Sequence, residues 1–173
     1  MGARHMYCQA RIILLQLAIM ILPASAAGDE QWRVYNVARF GAIAEVPNTW
    51  SIIPPPTNNG GRSFLSPDGT AEIVISGMLS SDVMADLKDS TKPYPDNKET
   101  VVTYRRVGTD WAVASGYRSD GKIFYRKSIA ACGDRIINSV YIDYPRARKQ
   151  EFDSIVQHVA RSLRNANVSD ECP

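Results

Sequence analysis

Apolar residues return every third or fourth position near the end of the chain. In RARKQEFDSIVQHVARSLRNA, Phe152, Ile155, Val156, Val159, Ala160 and Leu163 fall at i, i+3, i+4, i+7, i+8 and i+11. That spacing is one stripe of an amphipathic helix. The helix is predicted from about Arg146 to Arg164, with Pro145 stopping the strand before it and able to sit in its first turn. His158 lies well off the stripe and is expected to face solvent.

Upstream the period shortens. ETVVTYRRV, WAVASGY, KIFYRKSIA and RIINSVYIDY are rich in β-branched and aromatic residues, and the breaks between them hold Gly108-Thr109-Asp110, Arg118-Ser119-Asp120-Gly121 and Cys132-Gly133-Asp134. Four such runs joined by turns of a few residues predict an antiparallel meander. The last run is apolar on both sides, with Ile136, Val140, Ile142 and Tyr144 on one and Ile137 and Tyr141 on the other. A sheet with one wet face would alternate more strictly, so both faces are expected to be covered. The C-terminal helix supplies one cover. A short helix in SSDVMADLKDS, with the Pro54-Pro55-Pro56 loop, supplies part of the other. Ser80 or Ser81 is expected to cap that helix, and Asp82 suits its positive end.

The first half adds two short strands, RVYNV and GAIAEVP, around Gly41, then a strand, a Pro67-Asp68-Gly69 turn and a second strand in RSFLSPDGTAEIVISG. The predicted class is α+β: an antiparallel sheet with a meander, flanked by a C-terminal amphipathic helix and a short helix, an α-β-α sandwich.

The N-terminus changes the picture of where this domain works. Arg4 and Arg11 flank a stretch without acids, IILLQLAIMIL is apolar except for Gln16, and Pro23 precedes Ala24-Ser25-Ala26. This is the layout of a secretory signal peptide. The apolar run is too short to span a bilayer, which takes roughly 20 residues. Residues 1–26 are therefore expected to be cleaved, leaving 27–173 as a single α+β domain without a membrane span, periplasmic or secreted. The chain has 20 Lys and Arg against 18 Asp and Glu. Arg4 and Arg11 leave with the leader and no acid does, so the mature charge is zero. A nucleic-acid partner, which needs a basic surface, is not expected.

With these elements in place, FGAIAEVPNTW and GTAEIVISG, followed by a meander and a final amphipathic helix, resemble the PsbP-like and DcrB-like domains of small exported bacterial proteins, a class that also includes the Ran-release factors of eukaryotes. The resemblance covers most of residues 32–164. It implies an accessory, binding or assembly protein, and the class offers no catalytic residues to carry over. It gives no general precedent for two cysteines in the mature chain.

Candidate chemistry is sparse. The mature chain has one histidine, His158, and no G-x-S-x-G elbow, so a Ser–His site is not expected. Cys132, Cys172 and His158 lack metal-ligand spacing, no nucleotide-binding glycine motif is present, and neither metal nor cofactor is expected. Asp110, Asp120, Asp134 and Asp143 lie near strand ends. Turn aspartates of this kind commonly serve local hydrogen bonding, but they leave a small hydrolase using turn carboxylates as an alternative, beside a secreted effector or inhibitor. Aromatic and basic residues interleave in the meander. Tyr104, Arg105, Tyr125 and Arg126 are the candidate surface for a partner protein or an anionic or glycan ligand of the envelope, since Tyr and Arg are enriched at interfaces.

Cys8 leaves with the leader, so Cys132 and Cys172 remain as an even pair in an oxidising compartment. The strand after Cys132 travels ~33 Å and the helix returns ~28 Å. Antiparallel packing would bring the tail back to the level of Cys132. A Cys132–Cys172 disulfide is predicted, closing a loop of ~40 residues worth about 4 kcal/mol in the chain-entropy model. The rival, a redox-active thiol pair, lacks a C-x-x-C arrangement to lower a pKa.

Overall fold

The computed structural model describes residues 31–93 and 100–166. The signal-peptide expectation and Cys172 lie outside these residues. The described chain begins with β1 (Trp32–Val37), β2 (Ala42–Pro47), β3 (Ser51–Ile52), β4 (Gly61–Leu65) and β5 (Glu72–Leu79), then α1 (Val83–Asp89). The meander follows as β6 (Val101–Val107), β7 (Trp111–Tyr117), β8 (Lys122–Ala131) and β9 (Ile136–Pro145). One 3-10 turn at Arg146–Arg148 leads into α2 (Lys149–Ser162), and a two-residue β10 (Arg164–Asn165) comes last.

Seven strands form one antiparallel sheet in the order β3-β4-β5-β9-β8-β7-β6. The meander is as the sequence predicts, and β9 lies at the centre. The first two strands do not join this sheet. They pair with each other, and β10 adds to the free side of β2, making a separate three-stranded sheet. This smaller sheet shares with α2 the task of covering one face.

The main core lies between those layers. Phe152, Val156, Val159 and Leu163 of the helical stripe meet Ile73 and Ile75 of β5, Val140, Ile142 and Tyr144 of β9, and Ala42, Ala44 and Val46 of β2. Phe152 stacks on Tyr144 at 5.1 Å and meets Trp50 edge-on at 6.3 Å. Burying each of the larger apolar side chains is worth about 2 kcal/mol. The β1–β2 turn closes against β5, where a Cβ on Gly77 would fall 2.3 Å from Phe40 Cβ. Fully buried Asn138 secures the same corner, donating through Nδ2 to the Phe40 carbonyl at 3.1 Å and to Asn165 Oδ1 at 3.0 Å.

The opposite face is covered by α1, whose Val83 and Leu87 pack on Ala112 and Ile137. The capping residue is Asp82, accepting from the Ala85 N–H at 3.0 Å. Ser80, one of the two serines expected there, instead donates to Asp86 at 2.7 Å. The Pro54-Pro55-Pro56 loop, expected to share this cover, is exposed and belongs to none of the buried clusters. His158 also departs from expectation. It stacks on Trp32 at 3.6 Å and meets Glu45 at 2.6 Å, because the β1–β2 hairpin lies along that side of α2.

A polar tie joins the β4–β5 turn to the start of α2. Asp68 accepts from Ser66 Oγ at 2.6 Å and from the Thr70 N–H at 3.1 Å, and it pairs with Arg148, which also pairs with Glu151. The Ser66 hydroxyl first, then the Thr70 amide, hold the Asp68 carboxyl well below the usual carboxylate range. A group lowered on folding adds stability that is present above its unfolded pKa and is lost as pH falls through the folded one. Asp68→Asn is expected to lower Tm at neutral pH. The gap to wild type should narrow below pH about 4 and close in stronger acid. A gap constant from neutral pH into strong acid in thermal melts would contradict this.

Candidate functional site

The pleat decides which candidate residues can act together. Successive side chains of a strand point to opposite faces, and directly paired residues share a face. Arg105 is opposite Ala114, Ala114 is opposite Arg126, and Arg126 is opposite Tyr141, so both arginines lie on the α1 face. Tyr104 is opposite Ser115 and Ser115 opposite Tyr125, which places both tyrosines on the α2 face. The four candidates therefore form two pairs separated by the sheet. Burial raises the Tyr125 phenol pKa, and nearby Tyr104 raises it further.

Arg126 is not a surface residue. It is 7% exposed, and its Nη1 donates to the Ser90 carbonyl, the C-cap of α1, at 2.8 Å. Its guanidinium stands 5.5 Å from the centre of the Tyr141 ring. A cation suits a helix C-terminus, where carbonyl oxygens concentrate partial negative charge. Arg126 thus ties α1 to the sheet. Arg105, on the exposed edge strand, has no such role.

Beside Arg126 a cleft of about 530 Å³ opens between the C-terminal half of α1 and strands β5 and β9. Val74, Met78, Ile137 and Tyr141 provide apolar wall. Ser76, Ser139 and the Arg126 side chain bring polar groups to it, and Asp89 and Lys92 pair at the rim. The Ser139 and Ser128 hydroxyls meet at 2.8 Å. The volume falls in the range of small-molecule sites, as does the mix of apolar wall and a few polar groups. Nothing in the sequence flagged this cleft, because its residues come from three strands and a helix and share no spacing.

The turn carboxylates mostly stay apart. Asp110 and Asp134 are exposed in separate turns. Buried Asp143 sits between Arg118 at 3.0 Å and Lys122 at 2.8 Å, and Asp120 reaches the same Arg118 at 3.0 Å. Asp120 and Asp143 thus converge on a cation. The Glu45–His158 pair borders a shallow groove of about 400 Å³. Among the described residues no hydroxyl or thiol is hydrogen-bonded to the imidazole, and no group of three or more His, Cys, Asp or Glu is placed to hold a metal ion.

Cys132 occupies the β8–β9 turn, where Cys132, Gly133 and Asp134 all have positive φ (58°, 56° and 64°). The chain does return to this end after α2: Asn165 Nδ2 donates to the Ala130 carbonyl at 2.9 Å.

No protein-family model matches the chain, and no curated protein matches it in sequence. Its architecture does have counterparts among solved structures. The solution structure of the cyanobacterial PsbP (CyanoP) of Synechocystis sp. PCC 6803 superposes with a TM-score of 0.59 at 11% identity, over 84% of this chain and 99% of that one. The fold is PsbP-like. The Saccharomyces cerevisiae Ran-binding protein Mog1p shares it with a TM-score of 0.51 at 7% identity, covering 79% of this chain and 96% of that one. LpqN, involved in cell envelope biogenesis of Mycobacterium tuberculosis, gives a TM-score of 0.51 at 10% identity over 78% and 90% of the two chains. At such identities the PsbP-like fold is what is shared, and individual site residues do not transfer.

Proposed function

We propose that the protein is an exported, non-catalytic accessory protein of the cell envelope that captures a small anionic or glycan ligand in the cleft beneath α1. The observation that carries this reading is the cleft itself: about 530 Å³ of space with apolar walls and the buried Arg126 among its lining. Guanidinium and hydroxyl donors suit carboxylates and sugar hydroxyls. Export rests on the leader pattern of residues 1–26. Among the described residues no helix is long and apolar enough to cross a membrane. Two neighbours in fold are a Ran-binding protein and a protein involved in cell envelope biogenesis, and both suit an accessory role. The hydrolase alternative is weaker, because Asp120 and Asp143 are both held by Arg118 and Lys122.

The Cys132–Cys172 bond belongs to the same proposal. Ala166 donates its N–H to the Gly41 carbonyl at 2.7 Å, close in sequence to the Asn165–Ala130 contact. Six further residues reach about 20 Å at full extension, enough to bring Cys172 back to the β8–β9 turn.

Two measurements bear on this. Full-length protein secreted by a bacterial host is predicted to start at Ala27 or Gly28, with an intact mass two hydrogens below that of the reduced chain. A retained leader contradicts export, and two free thiols contradict the bond. Separately, a panel of envelope glycans and small carboxylates is expected to contain at least one that raises the Tm of the mature protein. Ser76→Phe, which fills the cleft from the sheet side, should abolish that shift. No shift with any compound, or an equal shift in the variant, contradicts the cleft reading, and turnover of a panel member would favour the hydrolase.

A further inference from the structure

The outer edge of the large sheet offers a second surface, independent of the cleft. β6 is the terminal strand on the meander side, and among the described residues nothing pairs with its outer edge. An open edge presents a row of backbone donors and acceptors to any extended chain that reaches it. The irregular pairing between Val102 and Tyr104 breaks the ladder near the start of the strand, and pairing is regular from Tyr104 to Val107. The side chains around that stretch are exposed: Val101 at 60%, Tyr104 at 50%, Val107 at 39% and, in the adjoining strand, Trp111 at 37%. Edge arginines alone are common protection against aggregation. Tyr and Trp exposed beside them are not a protective device, and Tyr, Trp and Arg together are the residue types that dominate interface energetics.

Charge selects the occupant. Arg105 and Arg106 are exposed and consecutive, β6 has no acid, and among the described residues neither arginine makes an ion pair. The pleat sends Arg105 to the α1 face, opposite Ala114, and Arg106 to the α2 face, opposite Val113. A second copy adding through the same edge would gather four guanidiniums along one seam, and like charges across strands are destabilising. An added strand with two consecutive acids places one carboxylate beside each arginine, again because its side chains alternate in face. Apolar residues on either side would then meet Val107 and Trp111 at one end and Val101 and Tyr104 at the other.

We infer that β6 accepts an extended segment of a partner protein as an eighth strand, and that the segment carries two adjacent acidic residues flanked by apolar ones. Backbone hydrogen bonds supply the attachment and the two arginines supply the selection, the division of labour found when strands add to sheet edges.

The probe is an end-blocked octapeptide with two central glutamates flanked by alternating valine and threonine, titrated into the mature protein. Binding is expected. It should weaken at least tenfold with the Arg105→Glu/Arg106→Glu variant, whose Tm should match wild type because both side chains are exposed. The same peptide with central lysines should fail on wild type and bind the variant. A peptide that keeps both glutamates but has proline for the neighbouring valines should also fail, since it loses the strand's donors. Several results overturn the inference: no binding of the glutamate peptide, equal binding of the proline peptide, or a concentration-dependent dimer lost in the double variant, which would assign the edge to a second copy.

Discussion

One packing event organises this molecule. The apolar stripe of α2 and the small sheet of β1, β2 and β10 close over a single face of the large sheet, around Ile73, Ile75, Val140 and Ile142. Because side chains alternate along a strand, filling that face commits the alternate residues of β5, β8 and β9 to the other. Val74, Ser76, Ser139, Tyr141 and Arg126 are on the α1 side for that reason. A slip of one residue would exchange the two sets. The floor of the cleft is thus a by-product of the core's register, and Arg126 exploits it by fastening the last turn of α1.

The two covers are unequal. Fourteen-residue α2 buries Phe152, Val156, Val159 and Ala160, and Lys127 steadies its end by donating to the Ala160 carbonyl at 2.8 Å. Seven-residue α1 buries Val83 and Leu87. A helix so short has little stability of its own and depends on its cap at Asp82, on those two side chains and on the Arg126 contact. A cleft roofed by such an element is expected to open without disturbing the core, as the proposed capture of a ligand requires.

Much of the architecture was legible because periodicity reports burial. The α2 stripe, the meander and the doubly apolar β9 all follow from residues that must avoid water. The small sheet was hidden because β10 is two residues long and carries no strand signal, so the pairing that completes it depends on where α2 ends. His158 was misplaced for the same reason: a helical wheel shows which side is polar, but not that Trp32 and Glu45 will lie along it. The candidate surface looks like one set in the sequence because its Tyr-Arg pairs are adjacent there. The pleat separates adjacent residues, so Tyr104 and Arg105 take opposite faces while Arg105 shares a face with Arg126, across Ala114. The cleft had no sequence signature at all, since its residues converge only in three dimensions.

Native-state hydrogen exchange tests the central claim, that one face is locked by the core while the other is roofed by a lightly held helix. The account predicts that amides of β5, β8, β9 and the buried side of α2 exchange last and together, through global unfolding, while those of α1 exchange earlier through a local opening that leaves α2 protected. Amides of α1 in the slowest class, or of α2 exchanging as early as those of α1, would contradict it.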